Sequence, residues 1–345
     1  MCIRDRGPAA RAAHGSGPVT DAALLAWLSS PSHPAARYLT ARDLLEPRPD
    51  ASTLAELRGR IMTWKPLRSI LELQREDGSF PDRLKTPTAR PTFWALVLME
   101  RCGLQVSDGP VARAIEFVER RFAKAGAVSY TGGGSGVLPC YAGVVTTTLY
   151  GLGAGDRALA QASLDWLVDH QRFDHKDIRA GGAETWPYRA PANFGCWESV
   201  SCYHGVAGAF RAFASVPAAE RSPTVRRRLT DAIGYLRIHR LFRKSTSNQP
   251  LFRHMTRTFL VGDYRSGLLD MLQGVADADP SLVQESWVDE SVAAMEALTA
   301  GGRVPLAMNY GRALVDTVPL EPIGQPSRLL TFQWLRGRRT LDAAR

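Results

Sequence analysis

The sequence predicts an all-α protein, an α/α toroid in which helical-hairpin repeats place inner helices within an outer layer. Three observations predict it. First, four segments are variants of one pattern: PTFWALVLMERCG (91–103), PCYAGVVTTTLYG (139–151), SCYHGVAGAFRAF (201–213) and GDYRSGLLDMLQG (262–274). Each puts an aromatic at its third position, Phe93, Tyr141, Tyr203 and Tyr264, followed by small or apolar residues. Second, the pattern recurs after 48, 62 and 61 residues, as a repeat architecture requires. Third, another pattern interleaves with it: LRSILELQREDGSF (67–80), AIEFVERRF (114–122), SLDWLVDHQRFD (163–174), AIGYLRIHRLFRK (232–244) and SVAAMEALTAGG (291–302). Leu67, Ile70, Leu71 and Gln74 recur as Leu164, Leu167, Val168 and Gln171, the i, i+3, i+4, i+7 spacing of an amphipathic helix.

Taken in order, residues 1–18 are rich in Gly, Ala and Pro and are expected to be disordered. The first six, MCIRDR, resemble translated sequencing-adapter read-through and are set aside. Thr20 or Asp21 caps a first helix through Leu24, Leu25, Trp27 and Leu28. Pro34 starts a second near Ala35, which runs to Leu45 and stops at Pro47 and Pro49. From there the two patterns alternate. The nearly uncharged helices, with Gly143, Gly205, Ala207, Gly208 and Ala209, suit a crowded inner layer. The charged-stripe helices suit an outer layer with one face in water. Gly78, Gly126 and Gly301 fall where left-handed caps are wanted. The toroid is expected over residues 19–320, with 321–345 as a C-terminal tail.

The chain has 345 residues, 45% apolar and 22% charged, enough for one sizeable core. Its net charge is +9, but the arginines scatter over helix faces, as in Arg226–Arg228 and Arg336–Arg339. No aromatics interleave with them in the way that grips single strands, so no nucleic-acid partner is expected. No run of about 18 apolar residues suggests a transmembrane helix, and no secretory signal is visible. Setting Cys2 aside leaves Cys102, Cys140, Cys196 and Cys202, too few for a disulfide scaffold. A reduced, cytoplasmic location is expected.

LQREDGSF, a helix ending in Gln followed by Asp-Gly-Ser-aromatic, resembles the QW-type repeat of terpenoid cyclases and protein prenyltransferase β subunits. The resemblance extends more loosely over about residues 20–320. The chain also resembles bacterial proteins with prenyltransferase and squalene-oxidase repeats, through Pro139–Tyr141, Cys202–Val206 and His239–Arg243. The resemblance implies a toroid that admits an apolar, isoprenoid-type ligand into a mostly apolar central cavity. The alternative is a non-catalytic toroid scaffold for ligand or protein binding, because fold does not dictate function. The DxDD acid motif of squalene-type cyclases and the DDxxD motif of class I terpene synthases are both missing. DHKD (174–177) and Asp277–Asp279 have other spacings.

Protein prenyltransferase β subunits hold zinc with Asp, Cys and His. By that resemblance the candidate metal ligands are Cys140, Cys202, His204 and Asp263, with Cys196 nearby. The alternative for Cys140 and Cys202 is a small buried thiol. Cys202 and His204 lie about 200° apart on a helix, so both reach one ion only if that segment is still a loop. Phe93, Trp94, Tyr188 and Tyr310 are candidate cavity aromatics, together with Tyr141, Trp197, Tyr203 and Tyr264. Arg240, Arg243 and Arg253, in the polar segment 239–254, are candidates for a diphosphate or other anion at the cavity mouth. The alternative places them in water at a helix C-terminus. His33, His170 and His175 are expected on helix ends or surfaces. Walker, GxGxxG, GxSxG and HExxH motifs are missing.

Overall fold

A computed structural model describes residues 21–81, 89–124, 126–133, 136–175, 201–310 and 319–345. Tyr188, Cys196 and Trp197, and the N-terminal segment 1–18, lie outside the described residues. The described chain is mostly helical: α1 (Asp21–Leu28), α2 (Pro34–Asp43), α3 (Ala51–Gly59), α4 (Lys65–Leu71), α5 (Arg90–Arg101), α6 (Gly109–Phe122), α7 (Pro139–Gly151) and α8 (Ala158–His170). There follow α9 (Tyr203–Ser215), α10 (Pro223–Ile238), α11 (Leu268–Ala278), α12 (Ser286–Glu296) and α13 (Arg328–Asp342). The described strands, β1 (Ala123–Lys124) and β2 (Ala127–Val128), form one antiparallel pair. Among the described residues no helix is long and apolar enough to cross a membrane.

Proline opens the first turn of α2, α4, α5, α6, α7 and α10, where its missing N–H breaks no helical bond. Gly78, Gly126 and Gly301 all adopt positive φ, 91°, 79° and 56°, in turns rather than as the helix caps expected, Gly126 between β1 and β2. The two sequence patterns differ in burial as well. Nearly every residue of α7 and α9 is buried, whereas α6 and α10 bury single stripes such as Val111, Ala114, Ile115 and Val118. The apolar helices pack in succession, α5 on α7, α7 on α9, α9 on α11 and α11 on α13, and α13 packs on α2. The amphipathic helices α6, α8, α10 and α12 pack on α5, α7, α9 and α11 respectively.

Two features depart from the sequence reading. The helix expected to end at Gln74 stops at Leu71. Gln74 Nε2 instead donates to the carbonyls of Gly78 (3.1 Å) and Pro110 (2.8 Å), and Asp77 Oδ1 accepts from Ser79 N and Oγ. A Cβ at Gly78 would collide with the Arg113 carbonyl. The LQREDGSF motif is therefore a staple from the end of α4 to α6. Residues 321–345, expected as a tail, contain α13, whose Leu330, Phe332 and Trp334 are buried in the core. His33 lies at a helix end, as expected, but is buried. It caps α2 through Nδ1 and meets the buried Glu321 carboxylate at 3.1 Å.

Candidate functional site

The apolar helices α2, α5, α7, α9, α11 and α13 all contribute to the wall of one cavity of about 400 Å³. Its lining is charged, not mostly apolar. It holds six arginines, Arg42, Arg101, Arg211, Arg221, Arg265 and Arg336, and four acids, Glu100, Asp263, Asp270 and Asp277. Charge in a confined space must be paired or it destabilises the fold. Asp270 meets Arg101 at 2.5 Å and Arg211 at 3.8 Å, and its other oxygen accepts from Gly267 N at the start of α11. Burial alone would raise the Asp270 carboxyl, but the two guanidinium groups outweigh it and hold it below the usual range. Arg101 also reaches Gln333 on α13. Arg221 serves the backbone: it donates to the carbonyls of Ala214, Val216, Asp277 and Ala278, closing the ends of α9 and α11.

Glu100 is different. Its carboxyl faces the same cavity as Arg101, Arg211 and Arg336, yet it makes no hydrogen bond or ion pair among the described residues. Burial raises it above the usual carboxylate range, and the arginines only partly offset that. It rests against Gly151 of α7, where a Cβ would lie 2.8 Å from Glu100 Oε1. The cavity therefore contains carboxyls pushed in opposite directions by their surroundings, Asp270 downward, and Glu100 and Asp277 upward, a pattern found at functional sites.

Sequence reasoning missed Glu100, Arg101, Arg211 and Asp270. One signal was present: Arg101 and Arg211 both occupy the eleventh position of the repeated segment, on helices otherwise almost free of charge.

Towards one end of the cavity, a tight turn at 262–265 presents Asp263, at φ 59°, and Arg265. Asp263 Oδ1 accepts from Trp94 Nε1 (3.1 Å) and from the Tyr141 hydroxyl (3.0 Å), which itself accepts from Arg90 Nε at 2.7 Å. Arg265 lies 3.6 Å from Asp263 and stacks over Tyr264 and Tyr310. The Tyr264 ring is 5.7 Å from that of Tyr141 and 5.2 Å from His204. Tyr141, Tyr264, His204 and Asp263 thus come together. Tyr203 turns elsewhere, its hydroxyl donating to Leu241 O and its ring packed on Tyr235 and His239.

The four candidate metal ligands do not form a zinc shell. Cys202 is the residue before α9 and His204 is already inside it, while Asp263 is taken up by Trp94, Tyr141 and Arg265. Cys140 is buried, and burial pushes its thiol up. Among the described residues, no group of three or more His, Cys, Asp or Glu is arranged to hold a metal ion. The loop arginines Arg240 and Arg243 are not among the residues that line this cavity. Arg240 donates to Asn248 Oδ1 and Ser247 O, and Arg243 donates to Asn248 O, so both brace their own loop. Arg253 begins a short 3-10 turn, Arg253–Thr256, and with them is not among the cavity-lining residues.

His204 and His254 stack with centroids 5.2 Å apart, beside Phe252. Burial, with Arg265 and the neighbouring ring, lowers His204 to about 3; burial and Arg265 lower His254 to about 4. In the unfolded chain each takes up a proton near pH 6.5. Between those values the unfolded chain binds more protons, so stability falls as pH drops from 7. Urea unfolding should show a loss of about 2 kcal/mol from pH 7 to pH 5, allowing for partial exposure of His204. The double variant His204→Phe/His254→Phe should lose most of that slope. An unchanged midpoint in the parent would count against two neutral imidazoles.

Comparison with protein-family models and with curated proteins finds no match for this chain.

Proposed function

We propose that the chain is an α/α toroid whose central cavity binds a small, anionic, polar ligand. The observation that carries this reading is the cavity wall, where six arginines outnumber four acids and one of the acids, Glu100, is unpaired. The succession of apolar helices from α5 through α13 to α2, with amphipathic helices against them, supports the toroid. The size, about 400 Å³, is that of a small-molecule site. Guanidinium groups on several helices suit phosphate, diphosphate, sulfate or carboxylate oxygens, which accept forked hydrogen bonds.

A second reading keeps the isoprenoid ligand of the sequence resemblance. It draws on the aromatic group Tyr130, Tyr141, Tyr264 and His204 beside Arg90 and Arg265, which suits an apolar tail carrying an anionic head.

Thermal unfolding separates the readings, because a ligand that binds only the folded chain raises Tm by mass action. Inorganic diphosphate and a prenyl diphosphate should each raise Tm by a few degrees at about a hundred times Kd. The matching prenyl alcohol should not, and Arg211→Gln should reduce the shift for both anions. A shift with the alcohol as large as with the prenyl diphosphate would favour the isoprenoid reading. No shift with any of them would leave the non-catalytic scaffold.

A further inference from the structure

Glu100 sits on α5 with guanidinium groups around it, yet forms no ion pair within reach. Arg101 on its own helix is committed to Asp270 and Gln333. From α9, Arg211 leans towards Asp270 and Ser266. From α13, Arg336 meets Asp277 of α11 at 3.2 Å. From α2, Arg42 is held by Asp43. On the α7 side the neighbour is Gly151, with Tyr150 the ionisable group on that wall. Asp270, Asp277 and Asp43 have therefore taken the nearby cations, and Glu100 is left lining the cavity with its carboxyl against Gly151.

A bound anion would bring negative charge to the centre of this wall. An ionised Glu100 would repel it; a neutral one can donate a hydrogen bond to it. We propose that the cavity takes up its anion together with one proton from solution, and that Glu100 carries that proton, donating from its carboxylic acid to an oxygen of the anion. The anion keeps its own charge, the proton comes from the buffer, and no covalent bond is made or broken. This rests on the anionic-ligand reading above and extends it to the protonation state in which the ligand is held. The raised Glu100 carboxyl supports the direction, since a group already biased towards its neutral form needs little further push.

Inorganic sulfate is the probe, because it stays a dianion from pH 6 to pH 8 and any proton taken up must go to the protein. Calorimetric titration of the full chain in two buffers of different ionisation enthalpy reads that uptake directly. The expected result is a fractional uptake approaching one proton per sulfate. Affinity should fall by up to tenfold per pH unit once Glu100 ionises in the free protein. Glu100→Gln should abolish the uptake and flatten the pH dependence, and urea unfolding of this variant checks that it is folded. Sulfate binding without proton uptake, or uptake that persists in Glu100→Gln and disappears in Asp277→Asn, overturns the proposal while leaving the anion site intact. Absence of sulfate binding across this range overturns the anion site and the proposal together.

Discussion

Asp270→Ala is expected to cost about 3–5 kcal/mol of stability, because it leaves buried guanidinium groups without their counter-charge. Asp270 is only 5% exposed, and it answers both Arg101 and Arg211 across two helix interfaces. It also accepts the Gly267 N–H, so the variant loses an N-terminal bond of α11 as well. Asp270→Asn can retain that bond and one contact to Arg101, and should cost less than the Ala variant. Urea unfolding at pH 7 measures both. A loss below about 1 kcal/mol for Asp270→Ala would mean that water already hydrates these arginines as well as the carboxylate does. The cavity would then be an open, wet cleft, and the argument that its charges are tuned by burial would fail with it.

The helical character of the chain was legible because it rests on short-range regularities. Prolines at helix starts and the i, i+3, i+4, i+7 stripe both act within a few residues. Leu67 and Ile70 are buried as that stripe requires, and Gly143 and Gly208 are found in close contact. The charged cavity was not legible, because its logic spans the chain. Nothing near Arg101 in sequence announces Asp270, 169 residues away, as its partner. The aromatic repeat positions are equivalent in the sequence pattern, yet Tyr141 faces Asp263 while Tyr203 faces the Leu241 carbonyl. That carbonyl belongs to the loop after α10, where Arg240 and Leu241 adopt positive φ, a conformation that no local pattern announces. The role of α13 was hidden for a simpler reason: RLLTFQWLRGRR has a helical pattern but belongs to neither repeat.

Gly143→Ala is expected to cost about 3 kcal/mol or more, although alanine is the better helix former by roughly 1 kcal/mol. A Cβ at Gly143 would sit well under 3.0 Å from the Gly208 backbone. In return, a Cβ on Gly208 would lie 3.1 Å from the Cys140 Cα. Backbone cannot swing aside as a side-chain tip can, so α7 and α9 must separate to admit the methyl group. Gly234 supplies the opposite sign on the same scale. It lies on exposed α10 with nothing near its missing Cβ, so Gly234→Ala should gain about 0.5–1 kcal/mol. Comparing the two substitutions by urea unfolding cancels the helix-propensity term and leaves the contact. A Gly143→Ala variant as stable as the parent would show that α7 and α9 do not meet backbone to backbone. Because α9 also carries Arg211, separation of the two helices would shift that guanidinium relative to Asp270. The same variant should therefore weaken sulfate binding, even where it remains folded.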